Sequence, residues 1–261
     1  MAVFKFAGIT LLVILLIGGL IAAFYAPSIE RALTINTAPV AATGPVKAST
    51  AHVDQTATTQ GSGATILAQD TFQRTDQAFW GTASDGQSWG GDANTLRAFS
   101  IAGASGQIAG SGGQNGQIYN ALLGPASKNA EIVATASVNA FEPEVNFGVL
   151  LRWNDANNWY KALIDGSQLV VIKQVNGATT QLGAVRFPAA AGEAYTLHFR
   201  AIGATLFASV WPSGSSEPQQ WMLVVSDISL MGGRGGVRVV IDSDTVIHVS
   251  SFLETVASSG I

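Results

Sequence analysis

Cysteine is absent from the 261 residues. That single absence excludes a disulfide-stapled scaffold, a thiolate metal centre and a cysteine nucleophile. Charge is scarce as well: Asp, Glu, Lys and Arg make up 11% of the chain, against about a quarter in ordinary domains. The formal net charge of −4 lacks the basic footprint of a nucleic-acid binder, so no nucleic-acid partner is expected. A positive mean hydropathy, +0.31, argues against disorder despite the shortage of charge. What remains is a β-rich, weakly charged chain with one long apolar run.

That run occupies residues 6–26, FAGITLLVILLIGGLIAAFYA, with Lys5 before it and Glu30 and Arg31 after it. As a helix it would span about 31 Å, one hydrocarbon core. A cleaved signal peptide is the rival reading, but that class has a shorter apolar region and a small-x-small cleavage site. Here the best site ends at Ala26, with Phe24 two before it and Pro27 directly after. Residues 1–31 are therefore expected to be a transmembrane anchor, the protein being secreted if the segment is cleaved. Lys5 and the amino terminus on one side, against a cancelling Glu30–Arg31 pair on the other, place the carboxyl-terminal bulk outside the cytoplasm. Residues 32–65 are rich in Thr, Ala, Ser, Gly and Pro without a period, which reads as a flexible stalk.

From residue 66 to 256 the legible hydrophobic period is two. The runs are AEIVATASV (130–138), VNFGVLLRW (145–153), NWYKALID (158–165), SQLVVIKQ (167–174), AYTLHFRAI (194–202), TLFASVW (205–211), GVRVVID (236–242) and TVIHVSSFLE (245–254). Weaker runs lie near 66–69, 96–101, 117–123 and 221–226. Asp165-Gly166 and Asn176-Gly177 are hairpin signals. About a dozen antiparallel strands joined by hairpins predict an all-β sandwich or barrel over 66–256, with a short tail at 257–261.

The order of these hairpins resembles concanavalin A-like lectin/glucanase (laminin-G-like) jelly rolls. The likeness rests on FGVLLRWNDANNWYKALIDGSQLVVIKQVNG, AYTLHFRAIGATLFASVW and GGVRVVIDSDTVIHVSSF. The opening DTFQRTDQAFWGTASDGQSW resembles the first strand and Trp loop of such domains in secreted or surface bacterial proteins. The resemblance implies a jelly-roll sandwich; lectins, glycosidases and protein-binding modules all use it. It also implies a calcium ion held by carboxylate and carbonyl oxygens, for which Asp70, Asp242 and Asp244 are the candidates. The other reading of all three is as turn residues that satisfy their own backbone.

Catalytic patterns are weak. Gly86-Gln87-Ser88-Trp89-Gly90 matches a nucleophile elbow, but the strand before and the helix after that would expose the serine are missing. The E-x-D-x-x-E strand of a glucanase is also missing; Glu142-Pro143-Glu144 is the nearest run, and its Pro marks a strand entry. His198 and His248 alternate with apolar neighbours and read as outward strand positions. Aromatic residues carry the better signal, because sugars present C–H faces to Trp and Tyr and hydroxyls to amides and charges. Arg152, Trp153, Asp155, Asn158, Trp159 and Tyr160 surround one turn, and Trp80 and Trp89 sit on a Gly-rich loop expected to be partly exposed. The same segment reads equally as core and turn. Low charge and Gln/Asn/Ser/Thr-rich loops lean towards neutral glycans.

The functional expectation is a membrane-tethered extracellular module that recognises carbohydrate or a cell-surface component without chemistry. The alternative is a structural subunit, homo-oligomeric, packed into a surface assembly through its apolar helix. A glycoside hydrolase ranks last.

Overall fold

The computed structural model describes residues 64–258. The anchor of 1–31 and all but the last two residues of the 32–65 stalk lie outside the described residues, as do residues 259–261. Among the described residues no helix is long and apolar enough to cross a membrane.

The described chain is all-β. Its sixteen strands are β1 (Ile66–Asp70), β2 (Gln77–Ala78), β3 (Gly90–Gly91), β4 (Phe99–Ala102), β5 (Ser105–Ala109), β6 (Gln117–Ser127), β7 (Ala130–Val138), β8 (Asn146–Asp155), β9 (Asn158–Ile164), β10 (Gln168–Val175), β11 (Ala178–Arg186), β12 (Ala194–Ile202), β13 (Thr205–Pro212), β14 (Leu223–Ser226), β15 (Gly233–Ile241) and β16 (Val246–Val256). A 3-10 turn, Asp92–Asn94, follows β3. Seven strands form one antiparallel sheet in the order β11-β10-β9-β8-β15-β6-β3. The other nine form the second, in the order β14-β13-β12-β7-β16-β5-β4-β2, with β1 on β16. Each of the dozen predicted runs overlaps a strand. The four additions are β2, β3, β5 and β11, which are two residues long or too polar and Gly-rich to show a period.

The alternation works as the sequence implies. In β7 every second residue is buried, and Ile132, Ala134 and Val138 meet Phe147, Val149 and Leu151 of the facing sheet in one core. Each such Ile, Val, Leu or Phe contributes about 1.5–3 kcal/mol of burial. At the open margins, Leu223 and Val225 of β14 close over Gly183 of β11, where a Cβ would stand 2.9 Å from Val225 Cγ1. A side chain at 183 would push that cover off the strand edge, which is the part of a sheet most open to foreign pairing.

The seven-stranded sheet departs from simple alternation. Leu150, Lys161, Leu163 and Val170 project from its outward face, yet all four are buried. A second cluster covers that face: Leu122, Leu150 and Trp159, with Trp153 and Ile172 packed against them.

Candidate functional site

Asp70 is the hub of the opening loop. Its Oδ1 accepts hydrogen bonds from Phe72 N at 2.8 Å, Arg74 Nη1 at 2.8 Å and Ser84 N at 3.3 Å. Its Oδ2 accepts from Arg74 Nη2 at 3.0 Å and Trp89 Nε1 at 2.7 Å. With five donors on two oxygens and no exposure, Asp70 does not fit a calcium ion. Asp242 and Asp244 stand elsewhere, beside Glu142 and Asn115 in a depression of about 240 Å³. Asp242 Oδ1 there accepts from Gly116 N at 2.8 Å, a partner 126 positions away and not part of its own turn. Among the described residues no three His, Asp or Glu side chains converge on a metal position.

The same hub overturns the expectation that Trp80 and Trp89 are partly exposed. Trp80 has no exposed surface and Trp89 has 2%. Positive φ angles at Phe72 and Phe79 fold the loop back so that its rings enter between the sheets. There Trp80 packs edge-on against Phe72, Trp89 and Phe99, with centroids 4.7–5.0 Å apart. Neither ring offers a face to a ligand.

Most of the 152–161 segment is likewise structural. Arg152 sits at positive φ and is 2% exposed. Its guanidinium donates to three carbonyls from separate loops: Lys128 O, Leu230 O and Gly203 O. Tyr160 is fully buried, and its hydroxyl donates to Asp227 Oδ1 at 2.6 Å and accepts from Leu230 N at 3.0 Å. Burial, and then the Asp227 hydrogen bond, push that phenol up to about 12. Burial alone would raise Asp227 too, but hydrogen bonds from Lys173, Tyr160 and Ser229 hold its carboxyl well below the usual range. Asp155 closes its own turn by accepting from Asn157 N and Asn158 Nδ2, while Asn158 Oδ1 accepts from Asn176 N. Arg152, Asp155, Asn158 and Tyr160 therefore hold loops together.

Trp153 and Trp159 belong to the outward face of the seven-stranded sheet. They have polar neighbours that the sequence did not single out. The register sets Arg238 of β15 opposite Asn120 of β6 and Gly148 of β8. Two residues along, Gly236 faces Leu122 and Leu150, and Leu150 faces Lys161 of β9. Positions two apart share a face, so Asn120, Arg238 and Lys161 project together. Gly148 leaves the space that Lys161 Cε occupies; a Cβ there would collide with it. A line of contacts results. Asp92 Oδ2 accepts from Asn120 N at 2.8 Å, Asn120 Oδ1 accepts from Arg238 Nη1, and Lys161 Nζ donates to Asn146 Oδ1. The Arg238 guanidinium lies 4.6 Å from the centre of the Trp159 ring. Burial, together with the nearby Arg238 charge, holds the Lys161 ammonium well below the ordinary lysine range. Arg238 is pulled down by burial and supported by Asp92. In GVRVVID the alternation of Arg238 with two core valines was the available sign that it points outward.

A second polar group lies on the outward face of the nine-stranded sheet. His198 projects outward as expected but is 9% exposed, covered by Trp221 at 4.6 Å between ring centres. Its Nδ1 is 2.6 Å from Glu217 Oε1, and Glu131 Oε2 stands 3.4 Å from Nε2, an ion-pair distance without hydrogen-bond geometry. His198 holds the Glu131 carboxyl below its ordinary value. Arg200, Pro218 and Gln219 complete a depression of about 340 Å³. His248 faces outward, 3.1 Å from Ser105 Oγ.

No family model and no curated protein matches this sequence. Solved structures match its fold. Xylan β-1,4-xylosidase from Bacillus halodurans C-125 is 12% identical, with a TM-score of 0.53 over 72% of this chain and 38% of its own. The xyloglucan PUL protein GH43B of Bacteroides ovatus is 15% identical, with a TM-score of 0.52 over 72% of this chain and 39% of its own. The carbohydrate binding module CBM66 from Bacillus subtilis is 14% identical, with a TM-score of 0.49 over 73% of this chain and 96% of its own. The chain thus spans well under half the length of these two enzymes. At these identities the likeness is one of fold: the described domain shares their antiparallel β-sandwich of two packed sheets.

Proposed function

We propose that this domain binds carbohydrate without catalysing a reaction, on the outward face of its seven-stranded sheet. The observation that carries the reading is the strip of Asp92, Asn120, Arg238, Lys161 and Asn146 beside Trp153 and Trp159. It offers paired donors and acceptors beside the partly exposed Trp153 ring, with the buried Trp159 ring supporting Arg238, and that mixture recognises hydroxyls and C–H faces. The sugar-handling names of the two enzymes that share the fold lend support. A glycan array on the full-length chain is expected to return a saccharide whose binding weakens at least tenfold in Asn120→Ala. Glycans bound equally well by Asn120→Ala would overturn the choice of face, and an empty array would overturn the carbohydrate reading.

A hydrolase is the second reading, favoured by Glu131 and Glu217 on either side of His198 next to Trp221. A glycosidase needs a general acid with a raised pKa that can reach substrate. Glu131 is held down instead, and the raised carboxyl of Glu254 is buried in the core. Release of reducing ends from any array hit, abolished by Glu217→Gln, would establish this reading over the first.

In the proposed setting residues 6–26 anchor the domain to a membrane, outside the cytoplasm. The full-length chain is expected in the membrane fraction of a cell lysate, resistant to high salt and released by detergent. Recovery in the soluble fraction, with a mature amino terminus beyond residue 26, would refute the anchor.

A further inference from the structure

We infer that the saccharide is acidic, its carboxylate received by Arg238. The inference rests on the carbohydrate reading above and names the class of sugar. It departs from the leaning towards neutral glycans that the low overall charge suggests.

Two cations share the middle of the strip, and neither has a carboxylate of its own. Among the described residues the ion pairs involve other side chains, and the partners of Arg238 and Lys161 are the side-chain carbonyls of Asn120 and Asn146. Asp92 stands outside ion-pair distance of Arg238, hydrogen-bonded to Asn120 and supporting Arg238 by its charge. Both cations are more than nine-tenths buried, a costly placement for charges that repel each other. A bound anion would compensate both.

Arg238 is also held ready. Its Nη1 is tied to Asn120 and its guanidinium carbon lies 4.6 Å from the centre of the Trp159 ring, so the fork has little freedom left to lose. Nε and Nη2 make no hydrogen bond among the described residues, yet they are absent from the fully buried unpartnered atoms, which include Arg74 Nε and Arg200 Nε. The free donors of Arg238 therefore meet solvent. A planar fork with two open N–H groups matches a carboxylate in a bidentate pair. Lys161, whose Cε lies over Gly148, adds a second basic group beside it, and the half-buried Asn120 and Asn146, whose amides already donate to Asp92 Oδ2 and Glu144 O, each keep one N–H for a ring hydroxyl.

The test is calorimetric titration of the full-length chain with a galacturonic acid trimer, a galactose trimer and inorganic phosphate. The acidic trimer is expected to bind at least tenfold tighter than the neutral one, and to weaken as salt is raised. Arg238→Gln should bring the two trimers within threefold of each other. Lys161→Met should narrow the gap by at least threefold and, because it removes a buried charge, keep the fold; a thermal melt checks both variants. Should Arg238→Gln fail to fold, Lys161→Met decides. Equal binding of both trimers by the native chain would overturn the acidic specificity and leave the carbohydrate reading standing. Phosphate bound as tightly as the acidic trimer would make this a simple anion site. Binding of neither trimer, with an empty array, would remove both readings together.

Discussion

Asp70→Ala is expected to lower the thermal midpoint by about 6–20 °C. Asp70 is fully buried and paired with Arg74, and removing one partner of a buried pair costs about 3–5 kcal/mol because the other charge is left uncompensated. In a domain of this size each kcal/mol moves the midpoint by roughly 2–4 °C. Three further donors lose their acceptor at once: Trp89 Nε1, Phe72 N and Ser84 N. Asp70→Asn keeps the shape but sets an amide N–H against one of these donors, so it should recover little of the loss. Calorimetric melts of both variants check the point, and a midpoint within 2 °C of the native one would remove Asp70 from the centre of the fold.

That hub shows where sequence reading stopped. The alternation in AEIVATASV and AYTLHFRAI was enough to place β7 and β12, because a buried strand writes its burial into every second residue. Asp70 and Trp89 are 19 residues apart, and no local period links them. The glycines around the two tryptophans suggested an open loop. The structure turns the rings inward through positive φ at Phe72 and Phe79 as well as at Gly81, Gly86 and Gly91. D-x-F-x-R, with Asp and Arg four apart, was the one local sign that this loop is tied to itself.

The outward strip was hidden for a related reason. Arg238 and Asn120 are 118 positions apart, and their meeting depends on the register of β15 against β6. A one-residue slip would send every side chain of β15 to the other face. The aromatic cluster near the 152–161 turn drew attention to a hairpin that sends Trp153 and Trp159 to the outward face but Arg152 and Tyr160 into buried loop contacts. The bulge after Leu151 breaks the pairing of β8 with β9 until Asp155. Arg152 lies in that interval and meets the loop carbonyls, which alternation alone could not foresee. Trp159 and Lys161, beyond the turn, keep the outward face.

Glu254 should make the domain more stable in acid than in base. It projects from β16 into the interior with no exposed surface, between Gly124 and Gly235, whose missing side chains leave room for its carboxyl. Neither oxygen has a hydrogen-bond partner among the described residues. Burial, opposed in part by Arg234, pushes the group from 4.5 up to about 8. The folded state therefore holds this proton more tightly than the unfolded chain does. Its contribution is complete below about pH 4.5, declines as pH rises, and is lost above about pH 8. A rise of that size corresponds to on the order of 5 kcal/mol, a large share of a typical domain's stability. Asp227 and Glu131, held low, work in the opposite direction but titrate below neutrality, and every group other than Glu254 is common to the native chain and Glu254→Gln, so the difference between their slopes from pH 6 to 9 reports Glu254. Urea melts of the native chain should show stability falling across that window, and Glu254→Gln, neutral at every pH, should flatten the slope and exceed the native protein at pH 9. An unchanged slope in Glu254→Gln would assign the alkaline loss to another group. Gly235→Ala gives the complementary result: its Cβ would stand 2.5–2.6 Å from the Glu254 carboxyl, so this substitution should destabilise the fold at pH 5, where Glu254→Gln has little effect.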